Sequence, residues 1–218
     1  MLYELRIYEA MPGRMPALND RFANHTCALF AKHGIDMLAF WTEEIGTSNR
    51  LTYINVFPDV AARESRVAAF GADPEWRRVK AETEVDGPLV DVIHNTFMGL
   101  TPYSPQPRIT TNVQELRIYE AMPGKMDALH QRFADHTMAL FEKHGMENVG
   151  YWTDQVGINN RLVYILGHRD LGSREKSFAA FQSDPEWTRA RAASEVDGPL
   201  VRRSHSTILR PTDYSPAP

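Results

Sequence analysis

Glu4–Gly13 reads ELRIYEAMPG, and Glu115–Gly124 reads the same ten letters. The offset of 111 residues then holds without a gap. Arg21-Phe22-Ala23 returns as Arg132-Phe133-Ala134, Lys32-His33-Gly34 as Lys143-His144-Gly145, and Trp41-Thr42 as Trp152-Thr153. Asp73-Pro74-Glu75-Trp76 returns as Asp184-Pro185-Glu186-Trp187, and EVDGPLV closes both copies at Glu84–Val90 and Glu195–Val201. Solenoid repeats run only about 20–50 residues, so a period this long marks a duplicated domain. The expected division is 1–105, a linker at 106–112 within the Pro- and Thr-rich TPYSPQPRITTN (Thr101–Asn112), and 113–218.

Within a copy, Leu2–Ala10 alternates with the period of a strand, and Met11-Pro12-Gly13 ends it. Met15, Leu18, Phe22, Leu29 and Phe30 form one helical stripe between about residues 14 and 33, with Gly34 at the helix C-terminus. Ile35–Ile45 and Leu51–Phe57 are aromatic and β-branched around Gly46-Thr47-Ser48-Asn49, the pattern of a hairpin. Asp59 can cap a second helix. Asp73-Pro74 restarts it, with Asp as N-cap and Pro at the first helical position. Leu89–Leu100 reads as a last strand. The order β-α-β-β-α-β is the ferredoxin-like split pattern, with helices on one face of an antiparallel sheet. The other face needs a cover, and the second copy is the obvious one. The expected fold is therefore α+β: two ferredoxin-like repeats packed as an intramolecular version of a dimeric α+β barrel. Whether whole chains pair again as homodimers is left open.

Composition narrows the function classes. The 218 residues carry a net charge of −4, which argues against a dedicated nucleic-acid binder. Cys27 is the sole cysteine, so an intrachain disulfide is impossible. No apolar run approaches the roughly 20 residues that span a bilayer, and MLYELRIYEA does not read as a signal peptide. A soluble, cytoplasmic protein without membrane attachment is the expectation. No HExxH, CxxC, Gly-rich phosphate loop or GxSxG elbow is present, so neither a metal nor a cofactor site is expected.

YELRIYEAMPG at Tyr3–Gly13, the Lys32-His33-Gly34 helix end, the Trp41 strand and Asp73-Pro74-Glu75-Trp76 together resemble the NIPSNAP family, part of the wider group of dimeric α+β barrel proteins. The second copy repeats each motif, with Gln114 in place of Tyr3. The resemblance implies the fold and no single reaction. Eukaryotic NIPSNAP proteins are associated with mitochondria and with vesicle traffic or autophagy. This chain shows no Arg- and Ser-rich transit segment, so a bacterial-type cytosolic protein fits better. Barrel relatives include cofactor-independent monooxygenases of polyketides and haem-degrading enzymes. The latter use a histidine on the second helix, which Asp59–Gly71 and Leu171–Gln182 lack.

Several residues are candidates for chemistry. With Leu5 and Ile7 directed at the helices, Glu4, Arg6 and Tyr8 would line the barrel interior, as would Glu115, Arg117 and Tyr119. There Arg6 would anchor an anion and Tyr8 would act as donor or acid; alternatively Glu4 and Arg6 only satisfy each other. His94 and His205 on the last strand are the best general-base candidates, since histidine titrates near neutrality. Trp41 and Trp152 would wall a pocket, and Arg50 with Tyr53, like Arg161 with Tyr164, would contribute from the third strand of each copy. His33 and His144 should support the helix end, and Trp76 and Trp187 should pack. The expected function is binding of a small, aromatic or anionic organic molecule inside the barrel, with cofactor-free monooxygenase- or isomerase-type chemistry. The alternative is a structural or partner-binding protein with a filled interior. Finally, Phe57-Pro58 against His168-Arg169, and Asp91-Val92 against Arg202-Arg203, suggest unequal mouths: an apolar one beside Phe57 and a cationic one beside His168 and Arg169, so that an anion prefers the second copy.

Overall fold

The computed structural model describes residues 1–216. The first repeat runs β1 (Leu2–Ala10), α1 (Met15–Arg21), a π-helical turn (Phe22–Thr26), α2 (Cys27–Lys32), β2 (Asp36–Ile45), β3 (Arg50–Phe57), α3 (Val60–Ala72), α4 (Pro74–Thr83) and β4 (Val90–Leu100). The second runs β5 (Val113–Ala121), α5 (Met126–Arg132), a π turn (Phe133–Thr137), α6 (Met138–Lys143), β6 (Glu147–Val156), β7 (Arg161–His168), α7 (Leu171–Ser183), α8 (Pro185–Ser194) and β8 (Val201–Pro211). Each sheet has its first strand paired antiparallel with its third and fourth, and its third with its second. Over the whole chain the strand order is that of a closed barrel, β1-β3-β2-β8-β5-β7-β6-β4.

The local signals act as their chemistry requires. Asp59 accepts the amide of Ala62 at 2.8 Å, and Asp73 accepts that of Glu75 at 2.9 Å ahead of Pro74. Gly34 adopts φ +68°, a left-handed conformation that ends α2, and Ile35 N donates back to Phe30 O at 2.9 Å. His33 Nε2 lies 2.7 Å from Asp73 Oδ2, tying that helix end to the cap of α4, and His144 repeats the contact with Asp184 at 2.8 Å.

Two features depart from the sequence expectation. The helix expected from residue 14 to 33 is broken by a π turn in both copies. There Thr26 Oγ1 donates to the carbonyl of Arg21 at 3.2 Å, and Thr137 to that of Arg132 at 3.1 Å. The faces of β1 are also the reverse of those expected. Glu4 pairs with Arg63 of α3 at 2.6 Å, and the Tyr8 ring lies edge-on to Phe22, 5.9 Å away. Glu4, Arg6 and Tyr8 therefore face the helices, and Leu5 and Ile7 the opposite side. The cause is a cation on α3 that gives a buried carboxylate its partner, together with phenol bodies that pack on the helix aromatics.

The chain forms two compact units: Met1–Gly99 with the tail from Arg210, and Leu100–Leu209. In the first, the Tyr214 ring packs on Phe22 and Phe40, and its hydroxyl donates to Asn19 Oδ1 at 2.7 Å. Phe40 N donates to Ser215 Oγ at 3.0 Å. In the second, Tyr103 packs on Tyr151 with its hydroxyl 2.7 Å from His130 Nδ1, and Tyr151 N donates to Ser104 Oγ at 2.9 Å. The tail of each repeat thus completes the unit that holds the other.

Candidate functional site

β1 and β5 place a Glu-Arg-Tyr row on the helix-facing side, two residues apart each time, because alternate side chains of a strand share a face. Arg6 donates to Glu4 Oε1 and to the Tyr8 hydroxyl, both at 3.0 Å, and its guanidinium lies over the rings of Tyr8 and Tyr53. Burial opposes the charge on Arg6, but Tyr53, Tyr8 and Glu4 outweigh it and raise its pKa further above the ordinary arginine value. Arg117 donates to Glu115 at 2.6 Å, to the Tyr119 hydroxyl at 3.1 Å and, through Nε, to the Tyr164 hydroxyl at 2.8 Å. Glu115 also receives Arg174 at 2.7 and 2.9 Å and the hydroxyl of Ser206, with His168 Nε2 at 3.4 Å. Burial alone would raise the Glu115 carboxyl; His168, Arg174, Arg117 and Ser206 together hold it well below the carboxylate range. A tyrosine oxygen that accepts from arginine keeps its own proton to donate. Tyr8 and Tyr119 each line a cleft between sheet and helices.

The first cleft encloses about 240 Å³ and is walled by Phe22, Phe30, Phe70 and Trp76. The second encloses about 500 Å³, with Phe133, Phe141, Phe181 and Trp187 in the same places and Phe178 added. Arg21 stands beside the first, stacked over Trp76 and paired with Glu84 at 2.7 Å; Arg132 repeats this over Trp187 with Glu195 at 2.8 Å. Both clefts combine aromatic walls with a few placed polar groups, the usual make-up of a small-molecule site.

The expected site residues are distributed as follows. Tyr8, Tyr119 and Arg117 line the clefts, while Glu4, Arg6, Tyr53, Glu115 and Tyr164 form the hydrogen-bonded or aromatic layer with them. Trp41 and Trp152 are fully buried but belong to the other face of the sheet, since their neighbours Phe40 and Tyr151 take the helix face. Register places His94 opposite Ile7 and His205 opposite Ile118, again on the other face, half-exposed and paired with Glu9 at 2.9 Å and Glu120 at 3.1 Å. Tyrosine and histidine are therefore not brought together in either repeat. Arg50 joins the Glu9–His94 cluster, and Arg161 pairs with Asp154 at 2.8 Å. The expected mouths are not mouths: Phe57 and His168 are buried, and Arg169 extends into solvent beside Asp170. Sequence reasoning missed Arg21, Trp76 and Glu84 with their counterparts Arg132, Trp187 and Glu195. Their signal was present, because all three pairs lie in segments identical between the copies.

Two repeats, each with an aromatic cleft between helices and sheet, place the chain in the class of α+β barrel proteins. Comparison with known families matches NIPSNAP at residues 3–105 and again at 114–216, and the chain belongs to that family. It is 23% identical to the NipSnap protein of Drosophila melanogaster over all of this chain and 79% of the fly protein. Among solved structures, a monooxygenase-like protein of Lactobacillus acidophilus NCFM shares the fold over 96% of this chain and 93% of its own, with a TM-score of 0.63 and 13% identity. An anthrone oxidase-like protein does so over 97% and 91%, with a TM-score of 0.60 and 10% identity.

Proposed function

We propose that this NIPSNAP protein binds a small aromatic organic molecule in the cleft between sheet and helices, and that the arginine-held tyrosine donates to an oxygen of that molecule. The observation that carries the reading is Tyr119, which lines an aromatic cleft of about 500 Å³ and whose hydroxyl accepts from Arg117. A donor backed by a buried cation favours negative charge on a ketone or phenol oxygen. An enolate stabilised in that way is a common starting point for cofactor-free oxygenation and for isomerisation. The fold shared with monooxygenase-like proteins supports this chemistry as a class. The first cleft favours a second reading for its own repeat: at about 240 Å³, half the room of the second, it suits a structural role.

Native mass spectrometry of freshly purified protein tests the proposal. A co-purifying aromatic compound, lost or weakened about fivefold in Tyr119→Phe with the loss of a single hydrogen bond of roughly 1 kcal/mol, is the expected result. Unchanged occupancy in Tyr119→Phe would remove the tyrosine from the site.

A further inference from the structure

The two clefts descend from one sequence, yet their linings have diverged in size and in sign. In the first, the cations Arg21 and Lys80 meet the carboxylates Glu84 and Asp91. In the second, the lining guanidiniums are Arg117, Arg132 and Arg191 and the one lining carboxylate is Glu195, with Arg117 sharing the buried Glu115 behind the wall with Arg174. Glu195 serves two of them, accepting from Arg132 at 2.8 Å and from Arg191 at 3.2 Å. Lys80 corresponds to Arg191, but Asp91 corresponds to Arg202, which is no part of the second lining. Room changes in parallel. Ile93 borders the first cleft, whereas its counterpart Ser204 borders the second, removing three carbons from the sheet side. On the helix side Val67 is replaced by Phe178, which lies 5.0 Å beneath the Arg117 guanidinium and adds a flat wall.

We propose that the second repeat alone carries the working site, and that it selects a flat, fused-ring aromatic molecule bearing one anionic group. This rests on the cleft reading above and adds to it the repeat that works and the charge of its ligand. An excess of guanidinium in a cleft with apolar walls concentrates an anion: Arg132 and Arg117 are 4% and 13% exposed and little screened, and Arg191 adds to their field from the solvent-exposed rim. Arginine also stacks on aromatic faces while it pairs with carboxylate, so one side chain serves both parts of such a molecule. The balanced first cleft offers a carboxylate ligand as much repulsion from Asp91 and Glu84 as attraction.

Calorimetric titration of the full chain with 2-naphthoate and with uncharged 2-naphthalenemethanol decides the matter. The expected result is one site per chain, with naphthoate bound at least fivefold more tightly than the alcohol. Arg191→Ala should weaken naphthoate far more than the alcohol and so remove most of that preference. Ser204→Ile, at an exposed position that folding does not depend on, should weaken both probes about tenfold by restoring the bulk found in the first repeat. Two equivalent sites, no preference for charge, or a preference that survives Arg191→Ala would each overturn the specialisation while leaving a cleft that binds aromatics. Heat from neither probe would overturn the cleft reading itself, and the specialisation with it.

Discussion

Glu115 sits fully buried among Arg117, Arg174, His168 and Ser206, whereas Glu4 has Arg6 and Arg63. Glu115→Gln would leave the partly buried guanidiniums of Arg117 and Arg174 without their anion, at a cost of about 2–3 kcal/mol measured by denaturant unfolding. Its pH dependence has a definite sign. A carboxyl held below its unfolded value of about 4.3 binds protons more weakly in the native state, so its stabilisation is complete above that value and is lost as pH falls through the native one. The acid limb of a stability–pH profile should therefore be shallower in Glu115→Gln than in the natural protein; identical limbs would show that Glu115 takes no part. The residues of this network were legible in the repeated ELRIYEAMPG, but their direction was not. Alternation gives the period of a strand and leaves its sign open. The sign depends here on Arg63 and Arg174, which lie 59 residues further along the chain from their partners and become neighbours only once α3 and α7 cross the sheet.

Elements were the most readable level, since caps and glycines act locally: Asp59, Asp73 and Gly34 mark helix ends where expected. The π turn escaped because it fills one continuous helical stripe and announces itself only through Thr26 and Thr137, residues ordinary in any helix. Thr26→Val should leave the buried Arg21 carbonyl short of one donor and cost about 1 kcal/mol in thermal unfolding. A neutral outcome would mean that the backbone of the turn stands without it. The tail contacts differ in an instructive way. Tyr214 bonds an amide, Asn19, but Tyr103 bonds His130, whose pKa burial lowers. A histidine held neutral favours the docked tail above its free value of about 6.5, and that contribution fades as pH falls below it. Hydrogen exchange, corrected for intrinsic rates, should rise at residues 101–108 between pH 7.5 and 5.5 and stay level at 212–216. Equal behaviour of both tails would refute the role of His130.

On the scale of the molecule, the repeat was plain in the sequence, while the differences in role between its two copies were not. The expected asymmetry lay at Phe57 and His168, which are buried, and the divergent cleft residues Ile93 and Ser204 gave no sign of sharing a cavity with Phe22 and Phe133, each 71 residues earlier in the chain. The exchanged tails could not be read either, because a Tyr-Ser-Pro motif names no destination. Expressed alone, residues 1–108 carry the Tyr103 tail and lack the Tyr214 tail, so two copies should exchange tails and sediment as a dimer at micromolar concentration; a stable folded monomer would contradict this. Tyr214 has one more consequence, felt during synthesis. The aromatic cluster around Phe22 and Phe40 waits for a residue 192 positions after Phe22, and at about 5–20 residues per second the ribosome takes on the order of ten seconds to translate the second repeat. The first repeat therefore emerges before the second and is completed after it, and a truncation ahead of Tyr214 or a bulky insertion beside it strikes at the packing around Phe22.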